Sequence, residues 1–93
     1  MTAPLEVEPL KLRLKEMLVA RLKLDVEAAG IEDSQPLFGA GLGLDSIDAL
    51  ELVLGVEQEF GVRIEDHEMG GQALASIDSL AAFVFGKQLA RGA

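Results

Sequence analysis

Residues 42–61 read LGLDSIDALELVLGVEQEFG, and the fold turns on how this run divides. Glycines crowd the stretch before it, Ser46 stands where a helix begins, and Gly61 supplies a stop. The spacing predicts a helix over 46–60. At 100° per residue, Ala49, Leu52, Val53, Val56 and Phe60 fall within one arc about 100° wide, enough for a single core-facing stripe. Ile47, Leu50 and Leu54 form a second, narrower apolar stripe, with Glu57 along one margin and Gln58 and Glu51 along the other. A helix buried on every side would account for both stripes. It would also bury Asp48, Glu51 and Glu59, at several kcal/mol each unless paired. The second stripe therefore reads as partly exposed: apolar residues ringed by acids, suited to a protein partner with an apolar patch and a basic rim.

Upstream lies a long connection, DVEAAGIEDSQPLFGAGLGLD over 25–45. A loop of that length is uncommon in so small a domain and is usually functional. Its apolar members Ile31, Leu37, Phe38, Leu42 and Leu44 are expected to tack it onto the helices. Before it, Leu14, Met17, Leu18 and Leu22 recur at helical spacing, and Pro9 suits the first turn of that helix. Downstream, the acidic piece over 65–69 has room for one or two helical turns. Ser76 then reads as the N-cap of a last helix with Ile77, Leu80, Ala81 and Val84 on one face. The expected fold is all-α: a small bundle of three main helices plus one short helix, with a long loop between the first and second. Residues 1–8 are read as a flexible lead, 9–90 as the domain and 91–93 as a tail.

The composition agrees. The chain has 93 residues, 49% of them hydrophobic, with four Phe and no Tyr, Trp or Cys. That is one modest core built mainly from aliphatic side chains, too small for two lobes around a deep catalytic cleft. Without cysteine there is no disulfide framework, thiolate metal site or thiol nucleophile. No apolar stretch approaches the roughly 20 residues needed to span a bilayer, and the N-terminus lacks the pattern of a signal peptide. The expectation is a soluble, cytoplasmic monomer. Formal net charge is −8, and no Lys or Arg lies between Lys23 and Arg63. Such a field repels nucleic acid and anionic lipid and steers basic protein surfaces toward the chain.

Ser46 has three readings. As a helix-start residue, its oxygen satisfies an orphan N–H. As a catalytic nucleophile it needs a base and an oxyanion hole, but His67 is the sole histidine and no GxSxG elbow surrounds the serine. As an acceptor modified by another enzyme, it has an exposed helix end that favours a phosphate through the dipole and free N–H groups, beside a recognisable surface. His67 with Glu65, Asp66 and Glu68 invites a metal reading, yet neighbours along a chain do not converge on one point, and no metal is assigned.

The run PLFGAGLGLDSIDALELVLGVEQEFGVRI over 36–64 resembles the acyl carrier protein family, whose signature is Gly-x-Asp-Ser-hydrophobic followed by an acidic amphipathic helix. Here that signature is Gly43, Leu44, Asp45, Ser46 and Ile47. The resemblance implies that Ser46 accepts 4'-phosphopantetheine from coenzyme A through a phosphodiester, and that the arm's thiol carries an acyl group as a thioester. It implies that Asp45 is an adjacent recognition residue for a phosphopantetheinyl transferase. Asp48, Glu51 and Glu57 match acidic docking positions, and Ile47, Leu50 and Leu54 apolar ones. They would meet acyl-loading, condensing and modifying enzymes with basic docking surfaces, the carrier itself being no enzyme. The sequence departs from housekeeping fatty acid carriers, which often have Ala before the Asp-Ser, Leu after it and three Glu before the Phe. Leu44, Ile47 and Gln58 stand at those places, which points to a specialised member serving a dedicated lipid or polyketide-like pathway. The alternatives are a peptidyl or aminoacyl carrier and an unmodified helical adaptor using the same acidic helix. Gly55 lowers helix stability by about 1 kcal/mol relative to Ala, and the expectation is that it makes room for an acyl chain or a neighbouring helix.

Overall fold

The structure, a computed structural model, describes residues 7–39, 41–65 and 72–92. Their elements in order are α1 (Val7–Leu22), a 3-10 turn (Ala28–Gly30), α2 (Ser46–Phe60), a second 3-10 turn (Gln72–Leu74) and α3 (Ile77–Gly92). The all-α expectation holds for them, the extended pairing being one isolated bridge between Phe38 and Leu44. The short helix expected over 65–69 lies, apart from Glu65, outside the described residues.

Each main helix follows from its sequence. α1 begins at Val7, earlier than the expected start at Pro9, because a proline within the first turn loses an N–H that has no intrahelical partner there. Leu10, Leu14, Met17 and Leu18 on α1 are buried. The helix closes with Lys23 in the left-handed region at φ 54° and the Leu24 N–H reaching back to the Val19 carbonyl at 3.2 Å. α2 has the expected bounds, and Gly61 ends it at φ 69°, a conformation that costs a residue bearing Cβ about 1 kcal/mol or more. α3 starts as expected at Ser76, whose Oγ accepts from the Ser79 N–H (3.2 Å) while the Ser76 N–H donates to Ser79 Oγ (3.0 Å). It continues to Gly92.

Ile77, Leu80, Ala81 and Val84 of α3 meet Leu52, Val56 and Phe60 of α2 and the α1 leucines in one core. Full burial of each such Leu, Ile or Val contributes about 1.5–3 kcal/mol. Ala49 and Val53, expected in the same stripe, are half-buried at its edge. No helix among the described residues is long and apolar enough to cross a membrane.

The long loop is pinned at three levels. Ile31, Leu37 and Leu44 are buried in the core, with Phe38 and Leu42 packed against it. Backbone bonds tie it to the approach to α3: the Leu37 N–H donates to the Ala75 carbonyl and the Asp78 N–H to the Asp33 carbonyl, each at 2.9 Å. Within the loop, the Leu42 N–H reaches the Pro36 carbonyl at 3.0 Å and the Leu44 N–H the Leu37 carbonyl at 3.1 Å. Gly41 lies against that turn so closely that a Cβ there would fall on the Pro36 carbonyl oxygen.

Charges complete the attachment. Lys11 of α1 pairs with Asp78 (2.9 Å) and Asp33 (3.2 Å), and Lys15 pairs with Asp33 (2.6 Å). Asp78 first and Asp33 next hold the Lys11 ammonium above its usual range. Lys15, then Lys11, holds the Asp33 carboxyl below the usual carboxylate range. A depressed carboxyl contributes stability that is present above its unfolded value, about pH 4, and is lost as pH falls through the folded value. Asp33→Asn is therefore expected to lower the urea midpoint at pH 7, by an amount that shrinks as pH drops below about 4. A deficit constant with pH would assign Asp33 a role other than ion pairing.

Candidate attachment site at the head of the second helix

The start of α2 is a reciprocal cap. Asp45, extended at φ −119° and ψ −172°, is the N-cap residue. Its Oδ1 accepts from the Ile47 and Asp48 N–H groups at 3.0 Å each, and Asp48 Oδ2 accepts from the Asp45 N–H at 3.0 Å. Of the three readings of Ser46, the helix cap is thus set aside. From one residue earlier, a carboxylate reaches the second and third helical N–H groups, whereas Ser46 is already the first helical residue. Ser46 is exposed, and its hydroxyl makes no hydrogen bond to another side chain or to the backbone of the described residues.

The same cap corrects one expectation. Of the orphan N–H groups thought to welcome a phosphate, those of Ile47 and Asp48 are taken by Asp45, leaving the N–H of Ser46 itself. The helix dipole still favours negative charge here, but the carboxylates of Asp45 and Asp48 already supply it. A free anion therefore gains little at such an end.

Down α2, the two stripes separate cleanly. Leu52 and Val56 are 1% and 0% exposed, whereas Ile47, Leu50 and Leu54 are 73%, 57% and 47% exposed. The sequence-predicted residues Asp45, Ser46, Ile47, Leu50, Leu54 and Glu57 are all exposed along this helix, and Asp48 and Glu51 are half-exposed. Glu51 is not a free acid: its Oε2 lies 2.7 Å from Arg21 Nη1 of α1. Arg21 is the residue that sequence reasoning missed, and Gly55 was its signal. His67, Asp66 and Glu68 lie outside the described residues, among which no cluster of three or more His, Cys, Asp or Glu could hold a metal.

An exposed, uncommitted hydroxyl at the head of an acidic helix with an open apolar stripe suits an attached 4'-phosphopantetheine. The sequence model of the family "Phosphopantetheine attachment site" matches residues 13–84. The chain is similar to "Acyl carrier protein" of Cylindrotheca sp. (strain N1), 40% identical over 55 residues that make up 59% of this chain and 65% of the relative. It is similar also to "Acyl carrier protein 2, chloroplastic" of Arabidopsis thaliana, 33% identical over 70 residues, 75% of this chain and 49% of the relative. The chain thus spans less than two thirds of the length of either. With the match running from α1 into α3 and across the Asp45–Ser46 cap, the chain belongs to the acyl carrier protein family.

Proposed function

We propose that this protein is a non-catalytic acyl carrier whose Ser46 Oγ bears 4'-phosphopantetheine received from coenzyme A: the serine oxygen bonds to the pantetheine phosphate, the pyrophosphate bond breaks, adenosine 3',5'-bisphosphate leaves, and the hydroxyl proton passes to solvent. The bound arm supplies a thiol on which an acyl group travels as a thioester. The observation that carries the proposal is the division of labour at the head of α2: Asp45 does the capping and leaves the Ser46 hydroxyl exposed and uncommitted. The protein's own tasks are to hold that oxygen at a fixed place and to be recognised. Asp45, one residue away, presents a carboxylate to the transferase. Ile47, Leu50 and Leu54 offer apolar contact, and Asp48, Glu51 and Glu57 flank it with negative charge, for acyl-loading, condensing and modifying enzymes with basic docking surfaces. Charge guides encounter, and the small apolar contact supplies affinity. The substitutions Leu44, Ile47 and Gln58 support a specialised lipid or polyketide-type pathway over the housekeeping one.

The test is direct. The purified chain, incubated with coenzyme A, magnesium and a broad-specificity phosphopantetheinyl transferase, is expected to gain the mass of one arm, on the proteolytic fragment that contains Ser46. No gain overturns the proposal, as does a gain on any other fragment.

A further inference from the structure

α2 carries no base of its own, and the cation on its acids comes from α1. Arg21 donates from Nη1 to Glu51 Oε2 (2.7 Å), from Nη2 to Gln58 Oε1 (2.6 Å) and from Nε to Glu59 Oε2 (3.2 Å). One guanidinium thereby spans about two turns of α2. It reaches that place because position 55 has no side chain: a Cβ on Gly55 would stand 2.7 Å from Arg21 Cδ and 2.8 Å from both Arg21 Nε and Met17 Sδ. The helix-propensity cost of a mid-helix glycine, about 1 kcal/mol against Ala, thus has its return in the clamp. Gln58 belongs to the same arrangement. As a neutral acceptor it completes the fork without adding a third carboxylate to a single cation.

The clamp distinguishes the acids of α2. Glu51 and Glu59 share Arg21. Asp48 accepts a backbone N–H and meets no cation among the described residues, and Glu57 stands exposed. Around the helix axis Glu57 lies about 20° from Leu50, whereas Asp48 lies about 160° from it, on the far side of Glu51. We propose that Arg21 sorts the acidic face, engaging Glu51 and Glu59 within the fold and leaving Glu57, beside the apolar stripe, as the charge read in contact. The proposal rests on the carrier reading and deepens it. The partner it fits has an apolar contact for Ile47, Leu50 and Leu54 with one basic group beside Glu57, not a continuous basic row. Arg21 is in this sense a positioning residue of the docking face.

The discriminating variable is salt. Loss of any one carboxylate weakens long-range steering, and salt screens that effect, whereas a desolvated contact pair persists at a Debye length of about 4 Å. The expected result, with transferase, coenzyme A and magnesium and arm transfer followed by intact mass, is as follows. At low salt Glu57→Gln and Glu51→Gln both raise KM, while at about 0.5 M salt only Glu57→Gln keeps a loss of about threefold or more in kcat/KM. Arg21→Met steepens the decline of kcat/KM with salt, and its rates converge on those of the wild type as salt rises. Equal residual losses at high salt for Glu51→Gln and Glu57→Gln, including none for either, overturn the sorting. Should Arg21→Met unfold by circular dichroism, the comparison of the two glutamate variants decides alone. A wild-type chain that takes up no arm overturns the carrier reading itself, whereas a modified wild type with equal glutamate losses overturns the sorting only.

Discussion

Ser46→Ala is expected to abolish uptake of the arm completely while leaving the fold intact. The oxygen that would form the phosphodiester is gone, and no neighbour replaces it, since the adjacent side chains are the carboxylate of Asp45 and the alkyl group of Ile47. Stability is expected to change by no more than about 0.5 kcal/mol, because an exposed first-turn residue without a hydrogen-bonded side chain takes no part in the cap. Asp45→Ala should show the opposite balance, losing about 1 kcal/mol in chemical denaturation as the Ile47 and Asp48 N–H groups lose their acceptor. A Ser46→Ala protein as destabilised as Asp45→Ala would return the capping role to the serine. Arm uptake by Ser46→Ala would remove Ser46 from the proposed function.

The second large effect is expected in the loop. In Gly41→Ala the new methyl group falls on the Pro36 carbonyl oxygen, which already accepts the Leu42 N–H. Neither atom is the end of a flexible side chain, so the backbone of the turn must move, and with it Leu37 and Leu44, both buried in the core. A loss of about 2–4 kcal/mol in urea unfolding is expected. Gly30→Ala provides the matched control, because a Cβ there meets nothing within 4 Å, and its effect should be within about 0.5 kcal/mol. Equal losses in the two variants would refute the steric account. Through Leu44, the residue before Asp45, the Gly41 change should also slow arm transfer.

Much of this was legible because the relevant interactions are local. The bounds of α2 follow from a glycine able to take a left-handed conformation at 61 and from apolar spacing, and the exposure of Ile47, Leu50 and Leu54 follows from there being two stripes where a bundle buries one. The apolar loop residues are in the core for the same reason, since hydrophobic side chains spaced between glycines have nowhere else to go. The choice of cap was harder. Asp and Ser both cap well, and the deciding signal is Asp48, which lies three residues after Asp45 and closes the reciprocal pair. The Arg21 clamp was not legible at all in its pairing. It joins residues that only the packing of α1 on α2 brings together, and an arginine on an amphipathic helix gives no hint of which distant carboxylate it meets. The glycine in mid-helix marked that something approaches closely, though not what. The family resemblance implied a role for Ser46, and the fold explains why that hydroxyl remains uncommitted.

The backbone bonds from Leu37 to Ala75 and from Asp78 to Asp33 have a further consequence for the order in which the molecule is made. They join segments far apart in the chain, so their loop-closure entropy is met late in folding. Helix two, capped and stopped by its own neighbours, can form early. The loop leading into Ser46 acquires its register only when the third helix docks, so a chain emerging from the ribosome carries its serine before it can present it. For the arm transfer proposed at Ser46, substrate quality would then be a readout of completed folding, because the register of the loop leading into it waits on bonds made with residues 75 and 78.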